Sequence, residues 1–375
     1  VLMIFGSGTM LSFGYTLLVG VIVNCFIGVN VSRWVLKSLL EYPACDNEKN
    51  FRKKTERKTI HFFENRKKYA IVVAVIFIIG LVGIGVRGIH LDTQFEGGTV
   101  LEYRTEAAAD VSEESIAAAV EKAAGRAATI QMTESNVDSS TALVVTLAGK
   151  NGVTPETQKD ISEAIAKELG LDELEPSQTF AVEPYIGAKA MRNGIIAVLV
   201  SFACILAYVG LRFSVLSGLS AGLTAIIALL NDVCVVLFVF TIFGIPLGDS
   251  FVAVVLTIIG YSINDTIVVY DRIRENTNMN PGRNLIETVD ESLTQVLARS
   301  INTSVTTGIC VIVILISSVL FRISSIYRFS LPMFFGLING TFSSICVASI
   351  LWAVWKQKKQ GVPATDSEKK SDGKN

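Results

Sequence analysis

A carboxyl group stands inside an apolar run. Residues 256–276 read LTIIGYSINDTIVVYDRIREN, with Asn264, Asp265 and Thr266 between two hydrophobic blocks. An ionised side chain at membrane depth costs a few kcal/mol or more, so such groups usually face a bundle interior. Asp265 precedes Asp271 and Arg272 by about two helical turns, roughly 9 Å of rise, too deep for a short side chain to snorkel easily. Burial penalises the charged form of a carboxyl, which lets it exchange a proton at working pH. The other reading of Asp265 is a neutral carboxyl that hydrogen-bonds between helices. Arg299 is its natural partner: the run RSINTSVTTGIC places Arg299, Thr303 and Thr306 on one helical face. A permanent guanidinium would compete with the proton for the carboxylate, giving a pair that loosens on protonation. Arg299 reads equally as a snorkelling anchor at a helix end. Asp232, preceded by Asn231, is a second carboxyl in an apolar run and a candidate for the same polar path, or a group near an interface.

The elements that must hold these residues are membrane helices. Half of the 375 residues are hydrophobic, only 18% are charged, and the mean hydropathy is +0.50, which excludes an ordinary soluble enzyme. A span needs about 20 mostly apolar residues. Seven stretches qualify, at about 13–35, 69–88, 190–211, 216–243, 250–271, 300–321 and 329–355. Lys and Arg set their direction. The basic linker 36–68, the loop from Asp271, and the end of the chain, read as a disordered tail over 356–375, are expected on the cytosolic side. Arg322 and Arg328, in an outer connection, run against that rule. Residues 283–298 read as an amphipathic helix on the cytosolic surface, with Leu285, Val289, Leu293, Val296 and Leu297 at helical spacing.

The region 89–187 is then extracytoplasmic. Alternating strands (TVLEYRT, ATIQMTES, ALVVTLAG, SQTFAVEPYIG) and two helices give the order βαββαβ, a ferredoxin-like arrangement. A partial capping box at Ser112 opens the first helix. Thr154, Pro155 and Gly170 bound the second. The expected fold is therefore a polytopic α-helical bundle carrying one α+β domain. The first and last spans also align without a gap, with Phe5 over Phe321, Phe13 over Phe329, Gly20 over Gly336 and Phe26 over Phe342. The other reading is a chance match, since apolar composition alone inflates identity; as a repeat, it makes residues 1–35 the last helix of a preceding copy of the same unit, an arrangement common among transporters. The opening VLMIFGSGTM, without an initiator Met, reads as the cut edge of a longer protein.

Other chemistry is missing from the pattern. Five of the six cysteines lie in apolar runs, no CxxC or Cys/His cluster exists, and His61 and His90 are far apart, so no metal site or cofactor is expected. FEGGT at 95–99 lacks the Lys-Ser/Thr of a phosphate loop and reads as a tight backbone turn. With no nucleophile, NTP loop or redox motif, the chain is not expected to be an enzyme. Energy for work must come from an ion gradient or a partner.

At this point the residues carry a resemblance. The stretch 256–276 is similar to the signature of the SecF half of the SecD/SecF protein-export family. GIHLDTQFEGGT resembles that family's Gly-Ile-Asp-Phe-x-Gly-Gly turn, with Asp92, Phe95, Gly97 and Gly98 in the matching portion. VEPYIGAKAMRNG, YVGLRF, Asn231-Asp232, ARSINTSVTT and the final GLINGTFSSICVAS follow in order. The match covers about 69–355 as a SecF unit of the resistance-nodulation-division superfamily, and 1–35 resembles the last SecD helix. The resemblance implies an accessory part of the Sec machinery in the bacterial cytoplasmic membrane, driven by the proton-motive force. In that picture Asp265 and Arg299 match the positions implicated in proton conduction, and with Asn264, Asp232 and Thr303 from the residue pattern they make up the candidate proton-coupling set. Implied partners are a SecD half or subunit, the SecYEG translocon, YidC- or YajC-type accessory proteins, a translocating preprotein, membrane lipids and protons, with no nucleic acid. Asn231 departs from the family's frequent His, and FRISSIYR replaces a turn containing Gly-Gly. The alternatives are a proton-coupled small-molecule or lipid exporter of the same superfamily and a passive assembly subunit.

Overall fold

In a computed structural model, residues 2–5, 9–42, 59–105, 113–126, 128–134, 141–148, 152–182, 184–213, 217–321 and 323–360 are described. They fall into two compact units: the described parts of 1–58, 91–200 and 247–253, and those of 59–90, 201–246 and 254–375. Among the described residues, seven helices are long and apolar enough to cross a membrane.

The first unit opens with helices α1 (Leu2–Phe5), α2 (Thr9–Val23) and α3 (Ser32–Leu40). A π-helical segment, Asn24–Val31, joins the last two into one span. The last span also contains a π segment, Ser343–Ala348. With Phe26 over Phe342, the two segments overlap in the repeat register.

The α+β domain follows. After the single-turn helix α5 (Thr93–Glu96) come β1 (Gly98–Thr105), α6 (Glu113–Ala124), β2 (Ala128–Glu134), β3 (Thr141–Ala148), α7 (Pro155–Leu169) and β4 (Gln178–Val182). The sheet runs β2-β3-β1-β4 with every pair antiparallel, the ferredoxin-like order. Alternation along the strands sends Leu101, Tyr103, Leu143, Val145 and Leu147 into the core, where Ile116, Val120, Ile161 and Ile165 of the helices meet them. Thr154 accepts from the Thr157 backbone at 3.3 Å, Pro155 follows, and Gly170 closes α7 in the left-handed region at φ 70°. Ser112 lies outside the described residues. Tyr103 is fully buried, and its hydroxyl pairs with Ser162 Oγ at 3.0 Å; that burial raises the phenol's pKa.

The Gly-rich turn before β1 takes its shape from glycine. Gly97 has φ 84° and Gly98 φ 145°. Asp92 accepts from the Phe95 and Glu96 backbone and donates its own N–H to Leu247 O at 2.9 Å. Phe95 is buried, and a Cβ on Gly187 would meet the Phe95 carbonyl at 2.6 Å. The last strand of the domain ends earlier than its sequence pattern suggests. Pro184 opens the next helix, α8 (Pro184–Arg212), as proline at a first turn tends to do.

In the second unit, α4 (Arg66–Arg87), α9 (Gly218–Ile242), α10 (Asp249–Met279, from Val254 on), α11 (Leu285–Leu320), α12 (Ser324–Phe342), the π segment and α13 (Ser349–Gln360) pack together. Helices α10 and α11 are longer than expected. DRIREN continues α10, supported by Arg272–Glu275 and Arg274–Asp271 pairs one turn apart. No glycine or proline separates 285–298 from the span behind it, so the amphipathic helix and the membrane helix are one 36-residue element, capped by Asn284. Likewise 36–40 belong to α3, 66–68 to α4 and 356–360 to α13, rather than to a linker or a tail.

Residues 59–65 are fastened to α11. The N–H of Ile60 donates to Thr294 Oγ1 and that of Phe63 to Asp290 Oδ1, both at 3.0 Å. Phe62 and Phe63 are buried beside them, and His61 Nδ1 lies 3.7 Å from Asp290 Oδ2. Glycines permit close helix contact elsewhere: a Cβ on Gly80 of α4 would lie 2.1 Å from the Phe238 ring of α9. Gly80→Val is therefore expected to destabilise the α4–α9 contact by about 1–3 kcal/mol. A lower thermal midpoint in detergent, with Gly85→Val (open space around it) as control, checks this.

Candidate functional site in the helix bundle

Helix α9 supplies Asp232, α10 supplies Ser262, Asp265 and Thr266, α11 supplies Arg299 and Ser300, and α12 with its π segment supplies Asn339, Ser343 and Ser344. All belong to the second unit.

Asp232 is fully buried and held by several donors. Asn339 Nδ2 donates to Oδ1 at 2.7 Å, with a longer 3.5 Å contact from Asn231 Nδ2. Ser262 Oγ and Ser343 Oγ donate to Oδ2 at 2.7 and 2.9 Å. The hydroxyls continue the network. Ser344 Oγ lies 3.2 Å from Ser262 Oγ and receives Thr266 Oγ1 at 3.0 Å. The π segment makes room for this. Widening the helix there leaves the Ser344 carbonyl to be met by Ser349 Oγ, five residues on, at 3.0 Å. A Cβ on Gly336 would meet Ile258 of α10 at 2.9 Å and Val236 of α9 at 3.1 Å, and one on Gly340 would meet Ser262 at 3.3 Å. Small residues thus bring α12 close enough for its polar groups to reach Asp232. Tyr270 adds a parallel tie, its hydroxyl 2.9 Å from Thr224 Oγ1 of α9 and donating to Ala348 O at 3.4 Å.

Asp265 is different. It is only 4% exposed, yet its Oδ2 has no hydrogen-bond partner. Arg299 lies near enough to act on it electrostatically, but outside ion-pair contact. Ser300 Oγ of α11 is also buried, with no partner at a normal hydrogen-bond distance. Arg299 is itself exposed and lines a cleft of about 490 Å³ with Gln295, Asp271, Arg272 and Glu275. In that cleft Arg272 Nε donates to Gln295 Oε1 and its guanidinium pairs with Glu275, while Asp271 receives Arg212 at 3.4 Å.

The other expected residues are placed as follows. The Asn264 side chain is exposed and makes no hydrogen bond among the described residues, since adjacent helical positions diverge by about 100°. Thr303 Oγ1 donates to its own helix, at Arg299 O, 2.9 Å away. Asp92, Phe95, Gly97 and Gly98 form the turn of the first unit and not this site. Ser262, Asn339, Ser343 and Ser300 were missed by sequence reasoning. Three of them are small hydroxyls, which are common in membrane helices, so they carry little signal on their own. No cluster of His, Cys, Asp or Glu able to hold a metal occurs among the described residues.

Removing the Asp232 carboxylate leaves Asn339 Nδ2 without its acceptor and Ser262 and Ser343 with their weaker bonds to Gly340 O, each buried donor left unsatisfied costing about 1–3 kcal/mol. Asp232→Ala is expected to abolish accumulation of folded protein or to lower its stability by several such increments. Asp232→Asn, which keeps an acceptor oxygen, is expected to cost less. Thermal unfolding of the two purified variants against the parent protein measures the difference.

Comparison with known proteins agrees with this architecture. Residues 161–358 match the family described as protein export membrane protein SecD/SecF, C-terminal. The chain is 31% identical over 300 residues to the protein translocase subunit SecF of Desulfurispirillum indicum, covering 79% of this chain and 92% of that one. It is 30% identical over 372 residues to the SecDF subunit of Thermus thermophilus, covering 96% of this chain but 47% of that one. The crystal structure of SecDF from Thermus thermophilus superposes with a TM-score of 0.74 at 27% identity, over 95% of this chain and 46% of that one. The chain thus spans about half the length of the SecDF relatives it matches.

Proposed function

Because this chain belongs to the SecD/SecF protein-export membrane protein family, we propose that it is an accessory subunit of the protein-export machinery, coupling proton movement to late preprotein translocation. The printed names of its relatives, translocase subunits SecF and SecDF, support the export role. The observation that carries the coupling is the Asp265 carboxyl, buried and unpartnered at Oδ2 beside a permanent positive charge.

A group that binds and releases a proton must be stable enough in both states. Asp232 is a poor candidate, since neutral donors fill both its oxygens. It acts as an interhelical tie. Asp265 has one free oxygen to take a proton and one cation to balance the charge when the proton leaves. Each proton that binds removes Arg299's counter-charge, and each that leaves restores it. The bundle thereby gains two electrostatic states that can be read as movement. In the same reading a SecD half and the SecYEG translocon are the working partners, and the cleft at Arg299 opens toward the side that Lys and Arg mark as cytosolic.

Asp265→Asn keeps the shape and removes the titration. The expected result is a loss of proton-dependent export of roughly tenfold or more, at unchanged folded abundance. The measurement is preprotein translocation into membrane vesicles with and without a proton gradient. Unchanged gradient-dependent translocation in the variant sinks the coupling reading and leaves the passive assembly subunit.

A further inference from the structure

We propose that the apolar groove between α11 and α12 holds one acyl chain of an anionic phospholipid from the cytosolic leaflet, with the headgroup phosphate against Arg66. The inference goes beyond the coupling reading and does not rest on it.

The groove lies within the second unit and has a volume of about 470 Å³. That is within the size range of pockets for small apolar ligands. Leu297, Val305 and Ile312 of α11 form one wall, and Phe334, Ile338 and Phe342 of α12 form the other. Gly308 leaves room between them: a Cβ there would meet only Leu337 Cδ2, at 3.8 Å. From Leu297 to Ile312 the helix rises about 22 Å, against about 15 Å for one leaflet of hydrocarbon. A whole acyl chain therefore fits along it. Val305 and Ile338 are each more than half exposed, so the groove is open along its side.

The lining selects the ligand. Its two hydroxyls, Ser304 and Thr341, pair at 2.5 Å, and each also reaches a carbonyl of its own helix, Ser300 O at 2.9 Å and Leu337 O at 3.1 Å. With those groups met by the protein, the groove asks for no hydrogen bond from its occupant. That suits a hydrocarbon chain and not a polar solute. The opposite face of α11 is different. Arg299, Thr303 and Thr306 lie about 160° around the helix from the groove residues, and Arg299 is exposed. A cation at that depth needs protein or water around it. A further protein partner therefore belongs on the Arg299 face, and the groove face is left to lipid.

Charge marks the cytosolic mouth. Phe62 lines that end of the groove and is buried there. The next residue, Phe63, has the Arg66 guanidinium 4.7 Å from its ring centroid, and Arg66 Nη1 donates to Phe63 O at 3.3 Å. Tyr69, one turn on from Arg66, stands edge-on to Phe342 of the groove wall, with 6.1 Å between centroids. Arg66 makes no ion pair among the described residues. Lys67 and Lys68, in the same turn, are exposed. Glu64 is the one carboxylate of residues 59–69 against these three cations. Asp290 is buried and turned to the Phe63 N–H. A phosphate at this mouth gives Arg66 the counter-charge it lacks, in the forked geometry a guanidinium favours. A tyrosine beside it suits the headgroup level.

The test places the purified chain in vesicles of phosphatidylcholine with a minor fraction of phosphatidylglycerol and reads bound lipid by native mass spectrometry after mild extraction. The parent protein is expected to retain one phosphatidylglycerol. Gly308→Leu, which fills the groove, is expected to weaken that retention on the order of tenfold, the equivalent of about two buried methylenes. Arg66→Gln is expected to keep lipid bound but to cut the preference for phosphatidylglycerol over phosphatidylcholine about fivefold. Gly85→Leu, with open space around it on α4, is expected to change neither. Should Gly308→Leu fail to fold, Val305→Trp fills the groove from its exposed rim in its place. Retention unchanged by the groove variant, or equal for the two lipids in the parent, overturns the proposal. So does a Val305→Cys variant that forms a disulfide with a second copy of this chain, or with another polypeptide, in the membranes of the producing cells, because the groove is then a protein interface.

Discussion

Hydrocarbon offers no hydrogen bonds, so every polar group within a span must be met by the protein itself. The second unit is arranged around that constraint. Asp232, the most deeply buried carboxylate, draws Ser262, Ser343, Asn339 and Asn231 onto its two oxygens and so ties α9, α10 and the last span together. Gly336 and Gly340 are small because the tie needs backbones close together. The π segment exists at the same level, where the last helix turns two successive serines inward. Against that saturated background the open valence at Asp265 stands out. The bundle satisfies one carboxylate on both oxygens and leaves another, one helix away, short of a partner.

The sequence shows these roles unevenly. Asp265, Asp232 and Arg299 are legible because charge in an apolar run is costly and therefore rare. The βαββαβ order is legible because strand alternation and the Thr154–Pro155 start with the Gly170 stop are local signals. The donors to Asp232 are not legible, since they lie 30, 107 and 111 residues away and only the packing brings them together. Asn264 reads as part of a polar triplet, but helical geometry points it away from its neighbour. Ser300 is hidden by the more conspicuous arginine before it. The union of surface helix and span into α11 is hidden too, because a change in polarity along a helix resembles a boundary when no breaker residue is present to decide.

That continuity gives α11 a mechanical meaning. Its first turns hold the segment ahead of α4 through Asp290 and Thr294, and its middle carries Arg299, Ser300 and Ser304. No proline, and no glycine before Gly308, interrupts the stretch between them. A shift at the Asp265 level therefore reaches the fastened segment as displacement of one stiff rod, without loss at a hinge. The buried Phe62 and Phe63 make that fastening more than a pair of hydrogen bonds.

The Asp232 tie also bears on how the chain is made. A ribosome delivers α9 long before the residues that will satisfy its carboxyl: Ser262 comes 30 residues later, and Asn339 and Ser343 more than a hundred. During that interval α9 enters the membrane on its own apolar strength, its span averaging a hydropathy of 2.5, with the acid carried as a passenger. Only when α12 and the π segment after it are threaded does the carboxylate acquire its full complement of donors. The joint thus closes only once α12 has been made, and a nascent chain truncated before residue 339 would hold α9 in the bilayer with that joint still open.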